Sequence, residues 1–266
     1  MLANSIVSPP AASLALVPPA LLRAAGILIF LLCAGVLTLH VLIVSDSSRR
    51  AGFTARRRAV ATFLAAGLLA LWLATAITIA DGAHFPLDPD TSRFRLTLIA
   101  LLTPVVIGLA AIFTSRTLGA INAATPPQWL IWAQGYRLAG AMFLFPYLAY
   151  GVLPGGFAWP AAVGDMGTAA LGIVVGFAVA RNAPNARRWA ALWNVAGIAD
   201  LVVAPAMALV TGADVATIYP LALVPLFVGP PLGVLVHVLS LRNLRVSGEA
   251  RRAPRAVDAL ALARQA

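Results

Sequence analysis

Seven times along this chain, about 20 residues pass with almost no charge, over roughly 21–44, 60–80, 96–114, 129–150, 160–180, 190–210 and 219–241. A helix rising about 1.5 Å per residue crosses the hydrocarbon of a bilayer in that length. No water is present there to pair with exposed backbone, so a single apolar segment must satisfy its own N–H and C=O groups as a helix. The expected fold class is all-α, a polytopic membrane helix bundle of seven transmembrane helices. Only 11% of residues are charged and 61% are hydrophobic, against about 25% charged in ordinary soluble domains. A soluble globular protein is thereby excluded, and so is a disordered chain, which needs low hydrophobicity and high charge. Residues 1–20 read as an extracytoplasmic tail, 21–241 as the seven-helix transmembrane domain and 242–266 as a basic cytoplasmic tail.

All 19 basic residues are arginine, in a chain of net charge +10 with no lysine. Lysine chemistry, including a retinal Schiff base, is impossible. The arginines cluster between apolar segments, the pattern of topology signals and of contact with anionic lipid headgroups on the cytoplasmic side. No nucleic-acid motif accompanies them, so nucleic acid is not an expected partner. Loop one holds Arg49, Arg50, Arg56, Arg57 and Arg58; loop three holds Arg116; loop five holds Arg181, Arg187 and Arg188. The C-terminal tail adds Arg242, Arg245, Arg251, Arg252, Arg255 and Arg264. The opposite side has Arg23, Arg93 and Arg95 with Asp81, Asp88, Asp90 and Asp214. This imbalance predicts an outside N-terminus and a cytoplasmic C-terminus, in a bacterial inner membrane. Pro9, Pro10, Pro18 and Pro19, with no positive charge before Arg23, suit an extended tail and not a cleavable signal. The stretch from Pro254 to Arg264 suits either a basic surface helix or a solvated tail. Cys33 is the single cysteine, which excludes an intrachain disulfide and a thiolate metal cluster.

Charges inside spans are costly, so each one is a functional candidate. Arg137 and Asp200 lie about nine and ten residues from the cytoplasmic end, roughly 14 and 15 Å deep. An Arg137–Asp200 ion pair is expected, because either charge alone would be uncompensated. Asp165 enters from outside at roughly 7 Å depth and either lines a vestibule or reaches Arg137 as a second carboxylate. The set fits two readings: an ion pair that only fixes helix register, or a substrate-binding site or proton relay. At 100° per residue Trp189, Trp193, Gly197, Asp200 and Ala204 share a face, as do Tyr136, Gly140, Phe143, Tyr147 and Tyr150, with Arg137 beside the latter. Tyr136 and Asn194 join the candidate binding or relay residues, although Asn194 and Gln134, a turn or less from the cytoplasmic ends, suit helix-to-helix hydrogen bonds better than ligand contacts.

Gly164, Thr168, Gly172, Gly176 and Ala180 form a row of small residues for close helix packing, and it passes beside Asp165. In the seventh span Pro230 and Pro231 remove two backbone donors next to Gly229, so the helix must kink or break there. Interrupted helices also serve transporters as gates and binding sites. Pro104 and Pro146 are expected to kink the third and fourth spans. His40 and His237 lie at matching depth, about 18 residues from their outer ends, and could ligate haem or a metal if their helices were neighbours. His84 falls in the acidic outer loop, suited to a solvated loop or a weak cation site.

The chain contains no HExxH, GxSxG or phosphate-binding glycine loop. Its only glutamate, Glu249, is in the tail, which excludes enzymes with a glutamate base in their spans. Pro127-Gln128 occurs once and no internal repeat accompanies it, so a PQ-loop carrier is excluded. The runs Gln134-Gly135-Tyr136-Arg137, Phe157-Ala158-Trp159-Pro160-Ala161 with Gly164-Asp165, and Trp193-Asn194 with Gly197 and Asp200-Leu201 resemble a group of uncharacterised bacterial multi-pass membrane proteins. The resemblance covers spans four to six and implies no activity for any residue. Abundant Ala, Arg and Gly without Lys suggest a bacterium of GC-rich genome. Three functional classes follow. The first is binding or translocation of a small polar solute or proton through Arg137, Asp165 and Asp200, with the broken seventh helix moving. The second is a haem- or metal-binding redox subunit using His40 and His237. The third is a structural or sensory subunit, whose partner is a second copy or another membrane protein.

Overall fold

The computed structural model describes residues 17–80, 92–213 and 219–252, and all regular structure among them is helical. The first 16 residues, residues 81–91 with His84, residues 214–218 with Asp214 and the residues from 253 onward lie outside the described residues. Five helices are long and apolar enough to cross a membrane: Pro19–Arg50 (α1), Ala55–Ala80 (α2), Gly155–Ala180 (α7), Ala186–Thr211 (α8), and the broken run Val224–Ser247. Ser92–Thr114 (α3) is followed by Arg116–Ala124 (α4), bent from it by 84°, and the pair makes a sixth candidate span. The membrane-facing logic is inside-out. Leu28, Phe63, Leu68, Leu71, Val106, Leu171, Val174 and Val210 are exposed, while Gln134, Arg137, Asn194, His237 and Asn243 are buried. In water the exposed set would be an aggregation surface, and against lipid it is at no disadvantage.

Several boundaries depart from the sequence reading. Pro18 and Pro19 do not belong to an extended tail: Pro18 caps α1 and Pro19 is its first residue. Proline suits that position, since its missing N–H would be unpaired there anyway. Helix α1 also runs past its apolar stretch to Arg50, where Asp46 pairs with Arg49 and Arg50 one turn away. Arg116 does not lie in a loop. The Ser115 hydroxyl accepts from the Leu118 N–H at 3.2 Å and starts α4 there, so α3 turns a corner instead of ending. Side chains then hold both arms of the corner. Arg57 donates to the Thr117 hydroxyl at 3.4 Å, and Arg242 donates to the Ile112 carbonyl, left without a helical partner by the corner.

The segment 127–150 is helical throughout but not in one winding. Pro127–Trp132 (α5) and Leu144–Tyr150 (α6) are α-helical, and Ala133–Phe143 between them is a 3-10 helix. Three residues per turn in place of 3.6 change which side chains share a face. Gln134, Arg137, Gly140 and Phe143, spaced by three, are all buried. Arg137 thus lies on the buried row itself, not beside it as a 100° projection places it. Helix α7 packs most extensively against this 3-10 segment and α8, and the side chains of Trp132 and Trp193 lie against its Gly176 and Gly172.

The predicted break in the last span is present and occupies the core. Val224–Leu232 is wound as a wide π-type turn, Gly229 leaves helical geometry with ψ −121°, and Gly233–Arg252 (α9) continues beyond. Leu226, Phe227 and Val228 in this stretch, and Leu223 just before it, are among the most buried residues, packed with Ile29, Cys33 and Val36 of α1. Because residues 230 and 231 are both proline, the Leu226 carbonyl has no N–H partner in either α or π winding. The Trp72 indole of α2 supplies the missing donor at 3.0 Å. Trp72→Phe is expected to leave that carbonyl unpaired and to destabilise the protein by about 1–3 kcal/mol. Thermal unfolding in detergent checks this, and an unchanged midpoint contradicts the role given to the indole.

Candidate functional site

Arg137 is presented by the 3-10 segment, Asp165 by α7, Asp200 by α8 and His237 by α9. Four separate elements therefore meet at one guanidinium. Its Nε–H donates to Asp165 Oδ1 at 2.7 Å and its Nη2 donates to Asp200 Oδ2. Its Nη1 donates to the Gly197 carbonyl at 3.4 Å and to His237 Nε2 at 3.2 Å. These acceptors occupy the guanidinium on every nitrogen. The Arg137 side chain is 1% exposed, whereas those of Asp165 and Asp200 are 17% and 18% exposed. The cluster is closed around the cation and open on both anions.

Hydrogen bonding sets the histidine tautomer. The Asn194 amide donates to the Ala190 carbonyl at 2.7 Å and to the Ser240 hydroxyl at 3.0 Å, so its Oδ1 faces His237 Nδ1 at 2.9 Å as an acceptor. His237 therefore carries its proton on Nδ1 and offers the Nε2 lone pair to Arg137. Trp193 packs on the imidazole at 4.8 Å between centroids and is itself held by donation to the Thr168 carbonyl at 2.8 Å. With a neutral histidine, one guanidinium faces two carboxylates, a formal excess of one negative charge when both are ionised.

Three glycines make room for the three side chains around Arg137. A Cβ at Gly140 would strike Asp165, one at Gly164 would strike Asp200, and one at Gly197 would strike His237. Each glycine is on an element facing the polar residue it accommodates, so this spacing is a tertiary fit with no local signature. Gly164 belongs to the row of small residues read from the sequence as a packing stripe. That row also receives the Trp193 ring at Gly172.

The remaining sequence candidates distribute as follows. Tyr136 is packed beside Gly233 with a buried hydroxyl that has no hydrogen-bond partner among the described residues, and Gln134 donates to the Gly233 carbonyl at 3.0 Å. Both thus lie where α9 leaves the break at Gly229, Pro230 and Pro231. Asn194 acts as the bridge from α8 to His237 and Ser240. Trp189, grouped with Trp193 by helical projection, is 59% exposed and takes no part. No hydrogen bond links His40 to His237 among the described residues: its Nδ1 contacts the Val36 carbonyl of its own helix at 2.7 Å, and its buried Nε2 has no partner among them. Among the described residues no group of three or more His, Cys, Asp or Glu is placed to hold a metal.

Sequence reasoning missed the part of His237 in the arginine cluster and an entire second polar layer. In that layer Thr125 donates to Ser47 at 2.9 Å, Asn243 donates to the carbonyls of Asn122 and of Thr125 (2.9 Å), and Asn122 donates to the Leu239 carbonyl at 3.2 Å. All four side chains are buried. They fall outside the apolar stretches 21–44, 96–114, 129–150 and 219–241, where a search for polar residues within spans does not look.

Gly164→Ala is expected to push the Asp200 carboxylate off Arg137 and to lower stability by about 1–3 kcal/mol through overpacking. Paired melting curves of G164A and of G167A, whose Cβ would meet nothing within 4 Å, check it. Equal midpoints for the two variants count against the fit.

A family model described as Domain of unknown function (DUF8737) matches residues 93–245. The matched stretch contains Arg137, Asp165, Asp200 and His237 and leaves α1 and α2 outside. No curated protein and no solved structure matches the chain.

Proposed function

The chain belongs to this family of unknown function, and from its own geometry we propose an integral membrane protein that binds and passes a proton or small polar solute through the Arg137 cluster. The observation that carries this reading is the imbalance of the cluster, two partly open carboxylates on one closed guanidinium. One proton, or one small cation, restores neutrality at a depth where an uncompensated charge is costly. The broken last helix is the moving part. His237 sits two turns beyond Gly229, so a change of angle at the break alters the contact between His237 and Arg137 without unwinding α9.

The wider frame of the proposal is seven crossings in a bacterial inner membrane, with the arginine-rich ends in the cytoplasm. The continuous helical path from Pro127 to Tyr150 supports a crossing there in addition to the six candidate spans. The arginine asymmetry supports the orientation. A phosphatase fused after residue 90 is expected to be active and one fused after residue 182 inactive; the reverse pattern overturns the orientation.

A second reading, a structural or sensory subunit acting with a partner or a second copy, is favoured by the occupation of every Arg137 nitrogen by an acceptor. The redox alternative finds no support in this geometry, because His237 Nε2 and Nδ1 are engaged by Arg137 and Asn194. Proton flux into liposomes, read with a pH-sensitive dye, separates the two surviving readings. Asp165→Asn and Asp200→Asn are each expected to reduce flux at least tenfold. If wild type shows no flux above empty liposomes and binds no solute, or if both variants keep wild-type flux, the transport reading fails and the structural one stands.

A further inference from the structure

A second site lies away from the Arg137 cluster, in a cavity of about 540 Å³ between the C-terminal half of α1, the start of α2 and α5. Its size is that of a ligand pocket. One wall is apolar, made by Leu39, Leu42 and Ile43 of α1; the rim carries Arg49, Arg58 and Trp129. Leu39 and Leu42 are 40% and 60% exposed, so the apolar wall continues onto the lipid-facing surface of the bundle. The rim is at the arginine-rich end of the same helices. Thus the cavity passes from hydrocarbon contact to cationic headgroup level within about two turns of α1.

Charge at the rim is unbalanced. Asp46 also lines the cavity, but it is already shared between Arg49 and Arg50, and Arg50 lies over the Trp129 ring at 4.9 Å. Arg58 is half-buried, and no acidic side chain pairs with it among the described residues. Arg56, Arg57 and Arg58 occupy the start of α2, whose first turn contains no acidic residue. Three cations there oppose the positive end of the helix dipole, and an anion seated beside Arg58 relieves both. A guanidinium pair recognises the two free oxygens of a phosphodiester, and tryptophan suits the boundary between headgroup and acyl chain.

We propose that this cavity is a binding site for one anionic phospholipid, its phosphate between Arg49 and Arg58 and an acyl chain along Leu39, Leu42 and Ile43. The shared chemistry is a phosphate ester anion, and the apolar wall selects a lipid over a free phosphate. The site does not depend on the transport reading, since it shares no residue with the Arg137 cluster.

The test uses the full chain purified in detergent and delipidated. Dioleoyl-phosphatidylglycerol is expected to raise the thermal midpoint, because a ligand binding only the native state stabilises it. Dioleoyl-phosphatidylcholine and inorganic phosphate at equal concentration are expected to leave it in place. Arg58→Gln should remove at least half of the phosphatidylglycerol shift, and Arg188→Gln, an exposed arginine outside the cavity, should retain it. Native mass spectrometry provides a reading that does not depend on variant stability: one phosphatidylglycerol retained by wild type and by Leu42→Ala at reduced occupancy, none by R58Q. Equal shifts in R58Q and R188Q overturn the site in favour of diffuse surface charge. An equal response to inorganic phosphate overturns the lipid, and an equal response to phosphatidylcholine overturns the role of the anion.

Discussion

A guanidinium that keeps its charge within an apolar bundle must be surrounded by acceptors, and the packing of the central helices follows from that requirement. Arg137 draws Asp165 from α7, Asp200 from α8 and His237 from α9 onto one point. The helices can come so close only because Gly140, Gly164 and Gly197 lack a Cβ where those side chains pass. Electrostatic demand and steric allowance are therefore two halves of one device. Replacing either half leaves a buried charge or a collision, and lipid outside offers no compensation for either.

Two departures from α-helical winding serve this arrangement. The 3-10 segment at Ala133–Phe143 puts Gln134, Arg137, Gly140 and Phe143 in one row, so that a single strip carries the cation, its neighbouring gap and the apolar floor. The wide turn at Val224–Leu232 breaks the last span in the core, and the Trp72 and Gln134 side chains donate to carbonyls on either side of the break. Unwound backbone at this depth is tolerated where protein donors meet it.

The polar residues divide into layers of different character. The Arg137 layer is charged and partly open, while the Ser47, Asn122, Thr125 and Asn243 layer is neutral and closed. The neutral layer ties α1, α4 and α9 together at the arginine-rich end, beside the cavity rimmed by Arg49 and Arg58. Helix α4 is the piece that makes this possible. By turning through 84° it places its side chains across the bundle end and not along it.

The sequence by itself determined that the chain is helical with several segments long and apolar enough to cross a membrane, where its last such segment must break, and that Arg137 needs a carboxylate partner. Each of these follows from a local rule: the length of an apolar run, two missing N–H donors at Pro230 and Pro231, the cost of a lone charge in hydrocarbon. Only the tertiary structure decided that Asp165 joins Asp200 on the same guanidinium, that His237 completes the set while His40 bonds within its own helix, and that Arg116 begins a helix instead of lying in a loop. Winding was equally invisible, because a 3-10 segment and an α-helix have the same composition and differ by only 20° per residue. Which side chains meet depends on the phase of each helix and on gaps left by glycines on its neighbours, and neither is written at the positions of the residues that meet.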